Sequence, residues 1–449
     1  MNQRARPFRH FIPAVALIFA AMVATAPAPA DATTIERIVS PGGIVAWLVR
    51  EPSVPLIALD FAFRGGATQD PTDKPGVASL AASLLDEGAG NIDSESFHER
   101  LEAKAIEMGF TATRDYLAGS MRTLTENQDE AVELLRLALT APRFDAAEVE
   151  RMRAQTLAGL RRATQSPNEL ASDRWWQTAF AGHPYGRPVR GTLETVPAIT
   201  ADDLRSFTHN VLARDGLTIG LVGNIDAQGA GKLIDRVFGA LPEKGGLSPV
   251  ATASPQGLGQ KIAIDLDVPQ TVLMIGGAGI AIKDPDFIPA FVLNHILGGS
   301  AFSSRLFKEV REARGLAYSV YSGLMPLAHA ALFMSGTATR ADRTVQTLEV
   351  IQDEIRKLAE TGPTEDELAK AKSFLEGSYA LRFDTSSKIA EQLVQIQIED
   401  LGIDYIDRRN SLIEAVTMAD VKRVAKRLLD AGMLITVVGR PQPAPAKGG

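Results

Sequence analysis

The chain has 449 residues, 45% hydrophobic and 22% charged, with a formal net charge of −7, an ordinary globular composition with room for two domains of roughly 200 residues each. It contains no cysteine, which excludes disulfides, thiolate metal sites and cysteine nucleophiles. An acidic balance with no basic block argues against nucleic acid as a partner.

Arg4, Arg6 and Arg9 precede an apolar run from Phe11 to Ala24 that Pro13 interrupts, and the small-residue triplets Ala28-Pro29-Ala30 and Ala30-Asp31-Ala32 follow. That order predicts a cleaved signal peptide over residues 1–32. No later segment reaches about 18 uninterrupted apolar residues, so no stable membrane span is expected after cleavage. Removal of residues 1–32 takes away three arginines and Asp31 and changes the net charge from −7 to −9; cleavage after Ala30 would leave −10. Export without cysteine fits a bacterial periplasm.

Beyond the signal, Leu56–Phe63 reads as a strand, followed by a loop and a helix over Gly76–Leu85. Residues 196–223 carry Thr200, a helical pattern, Gly216 and a β-branched strand ending in Val-Gly; residues 413–439 repeat this with Thr417 and Gly432, a period of about 216 residues. Strand Thr271–Gly276 and helix Phe287–Leu297 echo the earlier strand and helix. The expected class is α+β: two homologous α/β domains, 33–240 and 261–440. Between them, LPEKGGLSPVATASPQGLGQ (241–260) is a Pro/Gly/Ser/Ala linker with little core of its own, and the Pro/Gly-rich tail 441–449 is expected to be disordered.

The stretch LGGSAFSSRLFKEVREARGLAYSVYS (297–322) is the most informative. Gly298 and Gly299 suggest a loop of positive φ that another segment approaches closely. Ser303 or Ser304 caps a helix whose apolar side is Leu306, Phe307 and Val310. Arg305 with Glu309, and Lys308 with Glu312, stand at i, i+4 on its wet side. Gly315 is placed as the C-cap, and Leu316–Tyr321 reads as a strand. On spacing alone this is a charged surface helix leading into a strand, with Arg311 paired to Glu312 and Tyr318 a core ring with a wet tip.

SSRLFKEVREARGLAYSVYS resembles the C-terminal-domain signature of the insulinase/pitrilysin family, the inverted zinc peptidases that include the mitochondrial processing peptidase. AGHPYGRPVRGTLETVPAITADDL (181–204), LEAKAIEMGFTATRDY (101–116) and APRFDAAEVERMRAQ (141–155) are similar to further segments of that family, so the resemblance spans nearly all of the chain after residue 32. It implies two homologous domains enclosing a peptide chamber. It also implies that Arg311 and Tyr318 bind substrate near the scissile carbonyl, where a guanidinium and a phenol are suitable donors to an oxygen gaining charge. Residues 101–116 would carry the substrate-pairing edge strand, with Gly109, Phe110 and Thr111 on it, Gly109-Phe110 replacing an Asn-Ala pair.

Active members carry H-x-x-E-H on the first long helix and a distal Glu. The matching helix here, GVASLAASLLDEGAG, places Ser79 and Ser83 at the histidine positions and Ala82 at the glutamate, while Ala158 and Gly159 occupy the distal region. Of the six histidines, His10, His98, His183, His209, His295 and His329, no two stand three or four apart. His98 reads as a solvated helix residue and His183 as a turn. Asp86 and Glu87 are adjacent and point apart on a helix. No metal or other cofactor is expected in this chain. The resemblance implies a zinc-less subunit that binds and orients unfolded peptide for a zinc-bearing H-x-x-E-H partner. The alternatives are a peptide-binding or assembly protein with no proteolytic role, and a homodimeric enzyme with an unrecognised site.

Overall fold

A computed structural model describes residues 34–300 and 302–440; the expected signal peptide (1–32) and the expected disordered tail (441–449) lie outside the described residues. The first half builds a six-stranded sheet of order β1-β2-β6-β3-β5-β4, from Ile35–Val39 (β1), Val45–Arg50 (β2), Leu56–Arg64 (β3), Glu107–Ala112 (β4), Tyr116–Leu124 (β5) and Leu217–Gly223 (β6). The second builds a five-stranded sheet of order β7-β11-β8-β10-β9, from Lys261–Ile264 (β7), Gln270–Ala278 (β8), Ala317–Pro326 (β9), Ala331–Arg340 (β10) and Leu434–Val438 (β11). Apart from β1, the two orders are the same walk through the sheet. In both, one pair is parallel (β2 with β6, β7 with β11) and the other pairs in common are antiparallel. The sequence repeat is therefore a repeat of topology.

Local chemistry explains the echo. Thr200 and Thr417 each accept from the backbone N–H three residues on, of Asp203 and Asp420, whose carboxylates bond back to the capping residue. These reciprocal bonds satisfy donors that a helix start leaves open. Each helix buries its apolar stripe, with Leu204, Phe207 and Val211 in one half and Val421, Val424 and Leu428 in the other.

The period-2 alternation of β3 sends Ile57, Leu59, Phe61 and Phe63 into the first core, where Phe61, Phe63 and Phe238 pack edge to face. Its opposite face is covered by a helix of the other half. Ser386–Ile398 packs on β6 and β3, and reciprocally Pro167–Ala179 of the first half packs on β11 and β8. Each covered sheet gives way with a glycine. A Cβ on Gly220 would stand 2.5 Å from the Ala390 carbonyl oxygen, and one on Gly276 would stand 2.5 Å from the Trp175 ring. Trp175 is fully buried and its indole N–H donates to the Leu434 carbonyl (3.1 Å), while Gln397 donates to the Ile219 carbonyl (2.9 Å).

Further ties cross between the halves. The Tyr185 hydroxyl donates to buried Asp115 (2.7 Å) and accepts from the His329 N–H (2.9 Å), and the Ala328 N–H donates to Asp115 (3.1 Å). Burial and the adjacent carboxylate push the Tyr185 phenol well above its ordinary range. The segment 241–260 is pinned along its length: Gly246 N–H to Asn210, Ala253 N–H to His329, Gln256 N–H to Ala179 and Gly259 N–H to Met433, at 2.8–2.9 Å. Its composition suggested a spacer, yet backbone bonds strap it to both halves. No helix among the described residues is long and apolar enough to cross a membrane.

Candidate functional site

The helix Phe287–Asn294 continues into a π-helical turn at His295–Gly299. Gly298 and Gly299 do not take the expected positive φ. What Gly298 provides is closeness, because a Cβ there would lie 2.7 Å from the Ser322 backbone nitrogen of β9. Ser322 and Asn294 lock the approach, the serine hydroxyl donating to the amide oxygen (2.8 Å). Ser304, fully buried, caps the next turn through the Phe307 N–H (3.4 Å). Phe307–Glu312 then winds as a second π-helical turn rather than the regular α-helix its pattern suggests. Such wide turns concentrate at functional sites.

The expected i, i+4 pairs do not form here. Arg305 reaches across to Glu367 with two 2.7 Å bonds, and Glu309 pairs with Arg314. A partly buried partner offering a bidentate bond outcompetes an exposed helical neighbour. Gly315 does cap the turn, with φ of +59° and its N–H on the Arg311 carbonyl (2.9 Å).

This reversal brings the two candidate donors together. The Arg311 guanidinium lies 4.7 Å from the centre of the Tyr318 ring and 4.8 Å from that of Phe307. Tyr318 starts the edge strand β9 and is 83% exposed, so it is not a core ring. Arg311 has no ion pair with Glu312, and among the described residues neither the guanidinium nor the phenol has a hydrogen-bond partner. Stacking between two aromatic faces fixes the cation without using its N–H groups. Phe307 is the residue that sequence reasoning missed. Its i, i+4 spacing to Arg311 was the available signal.

The helix matching the zinc motif is Val77–Ala82, shorter than the expected Gly76–Leu85. Asp70 holds its start, accepting from the N–H groups of Gly76 (2.7 Å) and Ala78 (2.8 Å); burial pushes this carboxyl up to about 7 against those bonds. The helix ends early because the Ser83 hydroxyl bonds back to the Leu80 carbonyl (2.8 Å) and the Leu84 N–H takes an i−3 partner. Ser79 and Ser83 are half-buried and Ala82 is buried. Neither serine supplies an anionic or imidazole ligand, and Ala82 supplies none. The residues present do not fit a zinc ion. Among the described residues no three His, Asp or Glu side chains converge on a metal position.

The same helix packs beside β4 and beside the helix Ala146–Ala163, which carries Ala158 and Gly159. Glu87 lies in an ion-pair web: Arg151 (2.5 Å) and Ser94 (2.5 Å) donate to it, and His98 stands 3.4 Å away. Burial alone would raise the Glu87 carboxyl, but these partners hold it below its ordinary range. His98 thus faces a carboxylate rather than solvent alone. His183 does sit at a turn, its ring accepting from the Tyr185 N–H (3.1 Å). β4 is an edge strand whose described partner is β5 alone, with Gly109 opposite Ser120, Phe110 opposite Gly119 and Thr111 opposite Ala118. The Phe110 ring turns inward to Phe61 (6.3 Å), and Gly109 faces open space.

Residues 47–193 match the family described as insulinase (peptidase family M16), and residues 198–375 match the peptidase M16 inactive domain. The chain is 28% identical over 90% of its length to an "uncharacterized zinc protease" of Streptomyces coelicolor, covering 90% of that protein. It is 30% identical over 74% of its length to the "non-peptidase homolog YmxG" of Helicobacter pylori, covering 77% of it. A crystal structure of a peptidase M16 inactive domain from Pseudomonas fluorescens superposes with a TM-score of 0.86 at 30% identity, over 92% of this chain and 99% of that one.

Proposed function

The chain belongs to the insulinase family, peptidase family M16, and from that premise we propose that it is the zinc-less subunit of a periplasmic metallopeptidase. In this reading it binds unfolded peptide and orients it for hydrolysis by a zinc-bearing H-x-x-E-H partner. The observation that carries the reading is the Arg311–Tyr318 pair, two donors held in place by ring stacking and left without hydrogen-bond partners among the described residues. Their N–H and O–H groups are free to bond a substrate carbonyl, and each bond strengthens as that oxygen gains charge. The open edge of β4 supports the same reading, since an extended peptide adds to such an edge through its backbone. The absence of ligands at Ser79, Ala82 and Ser83 supports a reading in which another chain carries the metal.

The test is reconstitution. The purified chain is mixed with an H-x-x-E-H homologue from the same organism, and complex formation is followed by size exclusion with quenched-peptide turnover, with and without chelator. The expected result is a stable complex with chelator-sensitive turnover that neither chain shows alone. A complex without turnover would favour a peptide-binding or assembly role. Chelator-insensitive turnover by this chain alone would favour a self-sufficient enzyme. The location is tested by N-terminal sequencing from a periplasmic extract, with a start just after Ala30 or Ala32 expected and an intact Met1 in the cytoplasm contradicting it.

A further inference from the structure

Two β-hairpins carry the elements that the reading above assigns to the peptide, and their tips meet in one buried knot. The first hairpin is β4–β5. Its edge residue Gly109 pairs with Ser120, four residues before the tip at Thr113–Tyr116, where the Thr113 N–H bonds the Tyr116 carbonyl (2.8 Å). The second is β9–β10, closed by the Leu327 N–H on the Ala330 carbonyl (2.8 Å). Its far end carries Tyr318, and there the register shifts. Val320 faces Thr337 and Ala317 faces Thr339, so residues 318 and 319 stand opposite the single residue 338. Such a bulge turns a side chain out of the regular alternation.

The first tip is fixed to its own half. The N–H groups of Gly65, Ala67 and Thr68 donate to the carbonyls of Asp115, Thr113 and Arg114 (2.7–2.9 Å), and the Arg114 guanidinium lies 3.5 Å from the centre of the Trp176 ring. The second tip hangs from the first. The Tyr185 hydroxyl donates to Asp115, 2.7 and 2.8 Å from its two carboxylate oxygens. The Ala328 N–H donates to the same carboxylate (3.1 Å), and the His329 N–H donates to the Tyr185 hydroxyl (2.9 Å). Tyr185 is fully buried and Asp115 nearly so, which strengthens these bonds and makes an unpaired member costly. Burial beside the carboxylate pushes the phenol up, so it remains a donor throughout the neutral range. The ring is boxed edge to face by Phe180 (5.4 Å) and Trp176 (6.3 Å), which fixes the direction of its hydroxyl.

We propose that Tyr185, acting through Asp115, is a positioning residue for the candidate site. It sets where the hairpin of Tyr318 stands against the hairpin of the β4 edge, so that both present to the peptide in one fixed arrangement. Tyr318 lies eight residues from Pro326 at the tip end of β9. At about 3.4 Å per residue that is a lever of roughly 27 Å, along which a small slip at the knot grows. A misplacement of about 1 Å at the reacting groups costs about a hundredfold in rate. This inference rests on the peptide-orienting role proposed above, and adds to it a residue that touches no peptide itself.

The test begins with the spacing of the two hairpins in the full chain without any partner. The chain has no cysteine, so introduced cysteines take a nitroxide label at chosen sites alone. Thr111→Cys on β4 and Ser319→Cys on β9 are both exposed, and double electron–electron resonance reads the distance between their labels. The doubly labelled parent should give one narrow distance distribution. Tyr185→Phe keeps the boxed ring and removes the hydroxyl, and should broaden or shift that distribution. Asp115→Ala should do the same, while Asp115→Asn, whose amide oxygen still accepts from the hydroxyl, should largely restore it. Melting curves establish that each variant folds, and the two Asp115 variants decide the case if Tyr185→Phe does not. An unchanged distribution in folded Tyr185→Phe would overturn the proposal, whatever the melting temperature. The second readout is turnover of the unlabelled chain in the reconstituted complex. Tyr185→Phe should lower kcat about ten- to a hundredfold with KM within about threefold. An unchanged kcat beside a displaced hairpin would also overturn the proposal. No turnover in any complex would count against the two-subunit reading alone, and the distance distributions would still decide whether Tyr185 positions the hairpins.

Discussion

The reciprocal helix exchange should make the two halves unfold as one cooperative unit, and Trp175→Ala tests this at a fully buried point. Trp175 belongs to the first half by sequence but packs under β8 and β11 of the second, fully buried, with Trp176 at 5.4 Å and Phe180 at 6.4 Å edge to face. Truncating a buried aromatic side chain to alanine costs about 3–5 kcal/mol. Removing the indole N–H also leaves the Leu434 carbonyl without that donor, which adds about 1 kcal/mol or more. Trp175→Phe keeps most of the ring and separates the two terms, with an expected cost of about 1–2 kcal/mol. The assay is guanidinium unfolding followed in parallel by far- and near-ultraviolet circular dichroism. Wild type should show one coincident transition, shifted without splitting in Trp175→Ala. Two separated transitions in wild type, or a loss under about 1 kcal/mol in Trp175→Ala, would refute the coupling.

The mature chain should hold no stoichiometric zinc after dialysis, because Ser79, Ala82 and Ser83 offer no ligand set; elemental analysis showing one tightly held zinc per chain would contradict this. Arg305→Ala should flatten the acid limb of stability. Burial alone would raise the Glu367 carboxyl, but bonds from Arg305 and Thr364 outweigh it and hold the group at about 2. A depressed carboxyl contributes stability that is complete above its unfolded value, about 4.3, and is lost as pH falls through the folded value. Wild type should therefore lose stability between about pH 4.5 and 2, and Arg305→Ala should lose less across that window. Denaturant midpoints against pH for both proteins check it, and parallel curves would contradict it.

Much of the architecture was legible because it is written locally. The Thr200–Asp203 and Thr417–Asp420 boxes, the strands behind them and the glycine at 315 each declare themselves within a few residues. The repeat of these signals gave two halves of one topology. What was not legible is set by distant partners. Nothing in the Pro167–Ala179 sequence says which sheet the helix covers, and Arg305 chose Glu367 over Glu309 because the chain folds back on it. At the candidate site the Arg311–Tyr318 spacing was readable, but the stacking that leaves both donors free depends on a π-helical turn no periodicity announced. Asp60 did leave a trace, the one acidic residue inside LIALDFAFR. What it faces across the sheet, Ser120 and then Gly109, appears only in the cross-strand register.

The most direct test of the central claim is the turnover of the reconstituted complex carrying Tyr318→Phe. The substitution keeps the ring that stacks on Arg311 and removes only the hydroxyl, which has no hydrogen-bond partner among the described residues, from a residue that is 83% exposed. If that hydroxyl donates to the scissile carbonyl oxygen in the transition state, turnover should fall about 10²–10³-fold, with complex formation and melting temperature unchanged. Turnover within about twofold of wild type in an intact complex would contradict a role for this chain in the chemistry.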